Sequence, residues 1–217
     1  MAGVRETLRR LLVAQTRARR PASVLLLGET GVGKSMVARL LHRAGPRSEG
    51  AFVAVNCAAI PSNLVESELF GFERGAFTDA KHAKPGLVQE ASGGTLFLDE
   101  VGLLPAESQA KLLTVLEEGT VRRLGATRGV PVDVWIIAAT SEDLEAGARE
   151  RRFRADLYHR LAVITVRLPA LRQRSDDIVP LAERFLREAS AGTARPPQTL
   201  TADGRACLLY TSPSPRD

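Results

Sequence analysis

GETGVGKS, residues 28–35, fits the pattern G-x-x-x-x-G-K-[ST] at every fixed position. The stretch follows SVLLLG, a short apolar run typical of a buried strand, and precedes KSMVARLLHRAG, whose apolar residues have helical spacing. Glycines at such a turn let backbone N–H groups point inward around phosphates, and the helix N-terminus adds positive potential. An ordinary glycine-rich turn is the alternative, but the complete motif in this context predicts a nucleotide site.

The motif also predicts individual roles in binding ATP and Mg²⁺. Lys34 would reach the β- and γ-phosphates, and the Ser35 hydroxyl would ligate Mg²⁺. The predicted nucleotide-binding residues are Gly28, Glu29, Thr30, Gly31, Val32, Gly33, Lys34, Ser35 and Met36.

Two carboxylates, Asp99 and Glu100, end the apolar run TLFLDE. This is the Walker B arrangement, in which Asp99 would hold Mg²⁺ through water or through Ser35, and Glu100 would polarise the attacking water. An acidic strand end without a partner is the alternative. Beside the phosphate-binding motif, the pair favours a site that hydrolyses ATP.

Polar residues end two other predicted strands, VWIIAAT at Thr140 and VAVN at Asn56. In a doubly wound sheet the carboxyl ends of the strands gather at the ligand crevice. Thr140 could therefore sense the γ-phosphate, and Asn56 could hold Glu100 by a hydrogen bond until the nucleotide state releases it. For both residues a plain strand cap is the alternative.

The stretch RRFRADLYHRL places Arg154 and Arg160 six residues apart on a predicted helix. An arginine inserted into the nucleotide site of a neighbouring subunit would stabilise the charge of the transition state. Solvated surface arginines are the alternative, which spacing alone does not exclude.

Strands and helices alternate along the chain, which predicts an α/β fold. This alternation favours a five-stranded, mainly parallel, doubly wound sheet that is covered on both faces. The predicted strands are SVLLLG, AFVAVNC, GGTLFLDE, PVDVWIIAAT and AVITVRL, and the predicted helices between and after them are KSMVARLLHRAG, PSNLVESELFG, PAESQAKLLTVLEEG and SDDIVPLAERFLREAS.

The composition of the 217 residues is that of a globular protein, with 44% hydrophobic and 25% charged residues. A net charge of +5 permits contact with nucleic acid, but a solvated arginine-rich surface is the favoured interpretation. Two cysteines in no metal spacing indicate a reducing compartment. No stretch resembles a signal peptide or a membrane span, so we expect a cytoplasmic protein without membrane contact.

Taken in order, these strings resemble the AAA+ ATPase domain of bacterial enhancer-binding proteins, the activators of sigma-54 RNA polymerase. The resemblance covers about residues 21–207, and ELFGFERGAFTDA within it is far more specific than a Walker motif. The matching strings are GETGVGKS, FVAVNCAAIP, ESELFGFERGAFTDA, ASGGTLFLDEV, QAKLLTVLEEGTVRRLG, AATSEDL, FRADLYHRL and LPALRQRSDDI.

The resemblance implies a ring-forming, hexameric ATPase that remodels the closed promoter complex. Asn56 and Glu100 match the family's switch pair, and Thr140 matches its first sensor. Arg154 and Arg160 match its arginine fingers, which act in trans. The loop that the family writes as GAFTGA, and that grips sigma-54, corresponds here to Gly75, Ala76, Phe77, Thr78, Asp79 and Ala80.

The sequence departs from the family pattern at several positions. Asp79 replaces the second glycine of the loop, which costs backbone freedom and adds a negative charge. Ser141 replaces the usual asparagine after Thr140, and Ser35 stands where many relatives have glutamate. The chain ends in LLYTSPSPRD, where the family continues into W-P-G-N-x-R-E-L, so we expect a truncated copy that would contact DNA only through a domain missing from this chain.

The predicted organisation begins with a helix over residues 1–20, with apolar positions Val4, Leu8, Leu11 and Leu12. An AAA+ α/β nucleotide-binding domain follows over 21–170, with the sigma-contacting loop at 75–80. Residues 171–207 would form part of a small helical lid, and 208–217 a disordered or non-native tail. Two alternatives stay open: an AAA+ remodelling ATPase with another protein client, and a nucleotide-binding module inactivated by truncation.

Overall fold

The computed structural model describes residues 2–16, 20–190 and 199–210. No helix within these ranges is both long enough and apolar enough to cross a bilayer. The strands are β1 (Val24–Leu27), β2 (Phe52–Asn56), β3 (Gly71–Phe72), β4 (Lys84–Pro85), β5 (Thr95–Asp99), β6 (Thr120–Val121), β7 (Val130–Pro131), β8 (Trp135–Thr140) and β9 (Ile164–Arg167). The α-helices are α1 (Ala2–Thr16), α2 (Lys34–Ala44), α3 (Ser62–Phe70), α4 (Leu87–Glu90), α5 (Ala106–Glu118), α6 (Leu144–Arg149), α7 (Ala155–Leu161), α8 (Ile178–Ser190) and α9 (Ala202–Tyr210).

Five parallel strands form the central sheet in the order β2-β5-β8-β1-β9. The predicted five-stranded parallel α/β fold is therefore confirmed. Side chains alternate between the two faces along each strand. In β1, Val24 and Leu26 pack on one face with α1 and α2, whereas Leu25 packs on the other with α3, α5 and α7. Since both faces are covered, the strands read as continuous apolar runs in the sequence.

The N-terminal helix belongs to this α/β unit. Leu8 and Leu11 of α1 are buried beside β1 and β9, and Val4 and Leu12 pack at the edge of the same cluster. The predicted apolar face of the helix is confirmed. Ala2–Leu168 form one compact unit, so α1 belongs to the same unit as the domain that we predicted to begin at residue 21. Residues 17–19 lie outside the described residues.

A smaller compact unit begins at Pro169. It contains two short 3-10 helices, Leu171–Gln173 and Ser175–Asp177, followed by α8 and α9. An ion pair of 2.8 Å between Arg205 and Glu183 joins the last two helices. Because α9 extends to Tyr210, residues 208–210 of the tail that we predicted to be disordered or non-native are helical. A non-native origin of the tail stays a prediction. The predicted linker at 191–198 and residues 211–217 lie outside the described residues.

Trp135 at the start of β8 offers a test of how its buried indole stabilises the fold. Its side chain is fully buried, and its indole Nε1 donates a hydrogen bond of 2.9 Å to the Ala22 carbonyl. We expect Trp135→Phe to lower the free energy of unfolding by about 1–3 kcal/mol, because the carbonyl keeps Gln15 Nε2 but loses its indole donor, and the smaller ring leaves buried space. Urea unfolding followed by far-UV circular dichroism measures this, since the chain has one tryptophan and the variant none.

Tyr158→Phe is the matched control. It also removes a polar atom from a ring, but Tyr158 is only partly buried in α7. We expect a loss below about 1 kcal/mol there. Equal losses in the two variants would contradict the role given to the indole hydrogen bond.

Candidate nucleotide-binding site

The candidate site lies at the carboxyl edge of the parallel sheet. Asn56, Asp99 and Thr140 are the last residues of β2, β5 and β8, and the glycine-rich loop follows β1. The register pairs Asn56 with Asp99, and the Gly28 amide donates to the Thr140 carbonyl at 3.3 Å. Parallel strands that end at one edge therefore bring together residues that are up to 112 positions apart, 28 to 140.

The glycine-rich loop has a backbone that only glycine adopts readily. Gly31 and Gly33 have φ values of +80° and +102°, and Gly33 immediately precedes α2. Most of the predicted nucleotide-binding residues are at least partly exposed, but Val32 is buried in the core cluster beside α2. Val32 therefore anchors the loop through its side chain and can offer a ligand only its backbone.

The Lys34 side chain is buried and fixed at the start of α2. Its ammonium donates to the carbonyls of Gly28 and Glu29 at 2.9 and 3.3 Å, and to Glu100 Oε1 at 3.3 Å. Its exposed fraction is 5%. The loop thus curls around a positive charge, and an anion that enters the loop would replace Glu100 as the partner of that charge.

Ser35 and Asp99 form the candidate Mg²⁺ site. The Ser35 hydroxyl donates to Asp99 Oδ2 at 3.1 Å. A hydroxyl and a carboxylate are the oxygen donors that suit Mg²⁺, which usually takes one or two protein ligands together with substrate phosphates and water. The described residues contain no cluster of three or more His, Cys, Asp or Glu that could enclose a metal ion. The donor set therefore fits an open Mg²⁺ site.

Glu100 connects the glycine-rich loop to the end of β8. Its backbone is left-handed, with φ of +52°, a strained conformation for a residue with a side chain. Oε1 accepts from Lys34, and Oε2 accepts from both the amide and the hydroxyl of Ser141, each at 3.0 Å. Partial burial would raise the pKa of this carboxyl, but the donors Ser141 and Lys34 outweigh burial and hold its pKa below the usual value. Glu100 is therefore ionised near neutral pH.

Asn56 does not make the hydrogen bond to Glu100 that we predicted. Its Oδ1 accepts from the Ala58 amide at 3.0 Å and caps the short 3-10 helix Cys57–Ala59. Both oxygens of Glu100 are taken by Lys34 and Ser141 instead. Asn56 thus has the strand-cap role that the sequence left open, and its function as a nucleotide-dependent switch stays a prediction.

The Thr140 side chain also has a local partner. Its side chain is fully buried, and its hydroxyl accepts from the Glu142 amide at 3.0 Å. The hydroxyl therefore caps the turn after β8. This is the strand-cap role that was the alternative to sensing the γ-phosphate, and the sensor role of Thr140 stays a prediction.

Cys57 lies beside the two carboxylates and is buried. Burial and the negative charges of Asp99 and Glu100 raise the pKa of its thiol to about 12. The thiol is therefore protonated at neutral pH and supplies no nucleophile to the site.

The two predicted arginine fingers are exposed, and each is paired with a carboxylate. Arg154 precedes α7 and donates two hydrogen bonds to Asp156, at 3.0 and 2.7 Å. Arg160, in the last turn of the same helix, donates to Glu117 at 3.0 Å. Their side chains are 45% and 58% exposed, so both are accessible to a neighbouring molecule.

The predicted sigma-contacting loop closes on itself between β3 and β4. The Gly75 amide donates to the Ala80 carbonyl, and the Ala80 amide donates to the Phe77 carbonyl. Phe77 is 44% exposed, and its ring packs edge-on against Phe72, with 4.9 Å between the ring centroids. Ala80 is buried, so in this conformation it supports the loop rather than offering a contact.

Asp79 fits the loop without glycine. Among the described residues, only Glu100 and Arg151 have positive φ without being glycine. The backbone at Asp79 is therefore open to any L-residue, and the loss of freedom that we expected from replacing glycine does not strain this conformation. What the exposed Asp79 adds to the loop is its charge.

A second hairpin, β6–β7, holds the loop, and we did not predict it from the sequence. Backbone hydrogen bonds of 2.9 Å join Glu73 and Gly71 to Leu124. Arg123 donates to Glu73 at 3.1 Å and to the Gln89 side chain at 2.8 Å. The signal in the sequence was the two glycines, Gly119 before β6 and Gly125 within the β6–β7 connection, and both have positive φ.

Comparison with known proteins places the chain in a family. A family model described as the sigma-54 interaction domain matches residues 2–167. The response regulator protein PilR of Pseudomonas aeruginosa is 53% identical over 191 residues, which are 88% of this chain and 43% of PilR. The Sigma54-dependent transcriptional activator SfnR of Pseudomonas putida is 51% identical over 191 residues, which are 88% of this chain and 52% of SfnR. The chain spans about half the length, or less, of these curated relatives.

A solved structure agrees with the sequence relatives. The crystal structure of NtrX from Brucella abortus in complex with ATP superposes with a TM-score of 0.85 at 37% identity, covering 96% of this chain and 45% of that chain. The fold of this chain thus occurs in a protein of related sequence. The chain belongs to the sigma-54 interaction domain family, the AAA+ domain of sigma-54-dependent transcription activators.

Proposed function

We propose that this chain binds ATP with Mg²⁺, hydrolyses it, and uses the cycle to remodel sigma-54 RNA polymerase at a closed promoter complex. One observation carries the proposal: Lys34, Ser35, Asp99 and Glu100 converge by hydrogen bonds at the carboxyl edge of the sheet. The structure of NtrX with ATP supports the choice of nucleotide, because that protein is 37% identical to this chain.

Binding would follow from the charges of the glycine-rich loop. The Lys34 ammonium would exchange Glu100 for the β- and γ-phosphates, while the loop amides donate to phosphate oxygens. Ser35 and Asp99 would hold Mg²⁺, which when bound neutralises charge on the phosphates. Nucleotide binding therefore releases one oxygen of Glu100 from its ion pair.

Hydrolysis would use Glu100 as the base. Its lowered pKa keeps the carboxylate ionised near pH 7, so it can accept a proton from the attacking water.

Assembly into a hexameric ring would complete each site. Arg154 and Arg160 would act in trans, leaving Asp156 and Glu117 to reach the nucleotide of the neighbouring subunit. Breaking an exposed ion pair costs about 0–1 kcal/mol. An arginine finger accelerates phosphoryl transfer by about 10³ to 10⁵. The stabilisation of the transition state is therefore larger than the cost of breaking the ion pair.

The loop of residues 75–80 would present Phe77 and Thr78 to sigma-54. The loop is held by the β6–β7 hairpin, and its phenylalanine is half-exposed on the connection between β3 and β4. In the whole activator, contact with promoter DNA would come from a separate domain, and the protein would act in the cytoplasm.

Lys34 offers a direct test of nucleotide binding by the glycine-rich loop. We expect Lys34→Ala to weaken ATP binding about tenfold or more, because a charge-assisted hydrogen bond to phosphate is lost. Isothermal titration calorimetry with a non-hydrolysable ATP analogue and Mg²⁺ measures the affinity. Lys111→Ala is the matched control, because Lys111 forms a surface ion pair with Glu66. Unchanged affinity for the ATP analogue in both variants would show that this loop is not the nucleotide site.

Phe77 offers a test of the proposed contact with sigma-54. We expect Phe77→Ala to weaken binding of sigma-54 about 30-fold in the presence of ADP and aluminium fluoride, the loss typical of an aromatic anchor. ATP turnover should stay within about threefold of wild type, since the loop lies outside the nucleotide site. Phe185→Ala, which removes a phenylalanine that is 62% exposed on α8, is the control. If the wild type, Phe77→Ala and Phe185→Ala all hydrolyse ATP and bind sigma-54 with the same affinity, another protein client would be favoured instead.

A further inference from the structure

The two oxygens of Glu100 have different partners. Oε2 receives two hydrogen bonds from one residue, the amide and the hydroxyl of Ser141, both at 3.0 Å. Oε1 receives a single, longer bond of 3.3 Å from Lys34. The carboxylate is thus anchored through one oxygen and only loosely held through the other.

Ser141 reaches Glu100 because β5 and β8 are adjacent parallel strands. The register pairs Leu98 with Ala138, so the residues just beyond the two strand ends are neighbours. The left-handed backbone at Glu100 turns the chain into the short 3-10 helix Val101–Leu103. Two elements that are 41 residues apart in the chain therefore meet through one carboxylate.

Ser141 is the partner of Glu100 in this structure that nucleotide binding would leave in place. Lys34 would turn to the phosphates when nucleotide binds, and Asn56, whose Oδ1 accepts from the Ala58 amide, makes no hydrogen bond to Glu100 here. Ser141 lies outside the glycine-rich loop and makes no contact that phosphate binding must break. Its hydroxyl and amide can keep Oε2 in place while Oε1 loses Lys34.

We propose that Ser141 is the positioning residue of Glu100 and holds its carboxylate in place during hydrolysis. The inference rests on the proposed hydrolysis of ATP. Ser141 fixes Oε2, and Oε1 is the oxygen that accepts the proton of the attacking water after Lys34 has left it. The proton moves from water to Oε1 as the water oxygen attacks the γ-phosphorus, while the bond from that phosphorus to the β,γ-bridging oxygen breaks and ADP leaves with its electron pair.

Amide hydrogen exchange tests the contact without any turnover. In the nucleotide-free 217-residue chain, Glu100→Ala should accelerate exchange of the Ser141 amide about tenfold or more, the loss of one hydrogen bond to a charged group. The Ala58 amide, which is bonded to Asn56, should keep its rate. Glu49→Ala, at an exposed glutamate before β2, is the matched control. An unchanged Ser141 rate in Glu100→Ala would overturn the proposal.

Turnover tests the positioning role. We expect Ser141→Ala to lower kcat about tenfold while the Kd for ATP stays within about twofold. Ser141→Thr should restore kcat to within about threefold, because the hydroxyl is kept and the position is exposed. Ser48→Ala, at an exposed loop serine, is the control. Unchanged kcat in Ser141→Ala, or no rescue by threonine, would overturn the role.

The two measurements separate this inference from the proposed function. If the wild-type chain binds ATP but does not hydrolyse it, the proposed function fails, and the exchange rates alone decide whether Ser141 holds Glu100. If the wild-type chain hydrolyses ATP and Ser141→Ala lowers both kcat and the affinity for ATP, Ser141 has a structural role in the whole site. The inference that it positions Glu100 then fails.

Discussion

The contact on which the candidate site depends is the carboxylate of Glu100 between Lys34 and Ser141. It joins the glycine-rich loop after β1 to the ends of β5 and β8, with β8 lying between the other two strands. Because the sheet is parallel, all these strand ends face the same edge. An ionised carboxylate there satisfies a buried ammonium, whose charge would otherwise be costly to keep away from water.

Much of this arrangement could be predicted from the residues. Continuous apolar runs of strand length indicated a sheet covered on both faces, and the glycine spacing before Lys34 indicated the phosphate loop. Asp99 lies within 3.1 Å of the Ser35 hydroxyl, as the pairing of the two motifs predicts. These features follow from local periodicity and from backbone geometry, which short stretches of sequence encode.

Side-chain partners were harder to predict, because they depend on exact directions at the strand ends. Asn56 and Ser141 are both within the predicted site region, and both are polar residues just at or beyond a strand end. The positive φ of Glu100 and the nearby Ala58 amide decide which of them meets the carboxylate. The β6–β7 hairpin was missed for a similar reason: two-residue strands carry no periodic pattern.

The most direct test of the account is Glu100→Gln in the full chain, with Glu107→Gln at an exposed position of α5 as the control. ATP turnover and ATP affinity are measured with Mg²⁺ at protein concentrations that allow assembly. The account predicts that Glu100→Gln loses about 10²-fold or more in turnover and binds ATP within about threefold of wild type, whereas Glu107→Gln keeps both. Turnover of Glu100→Gln equal to that of wild type would contradict it.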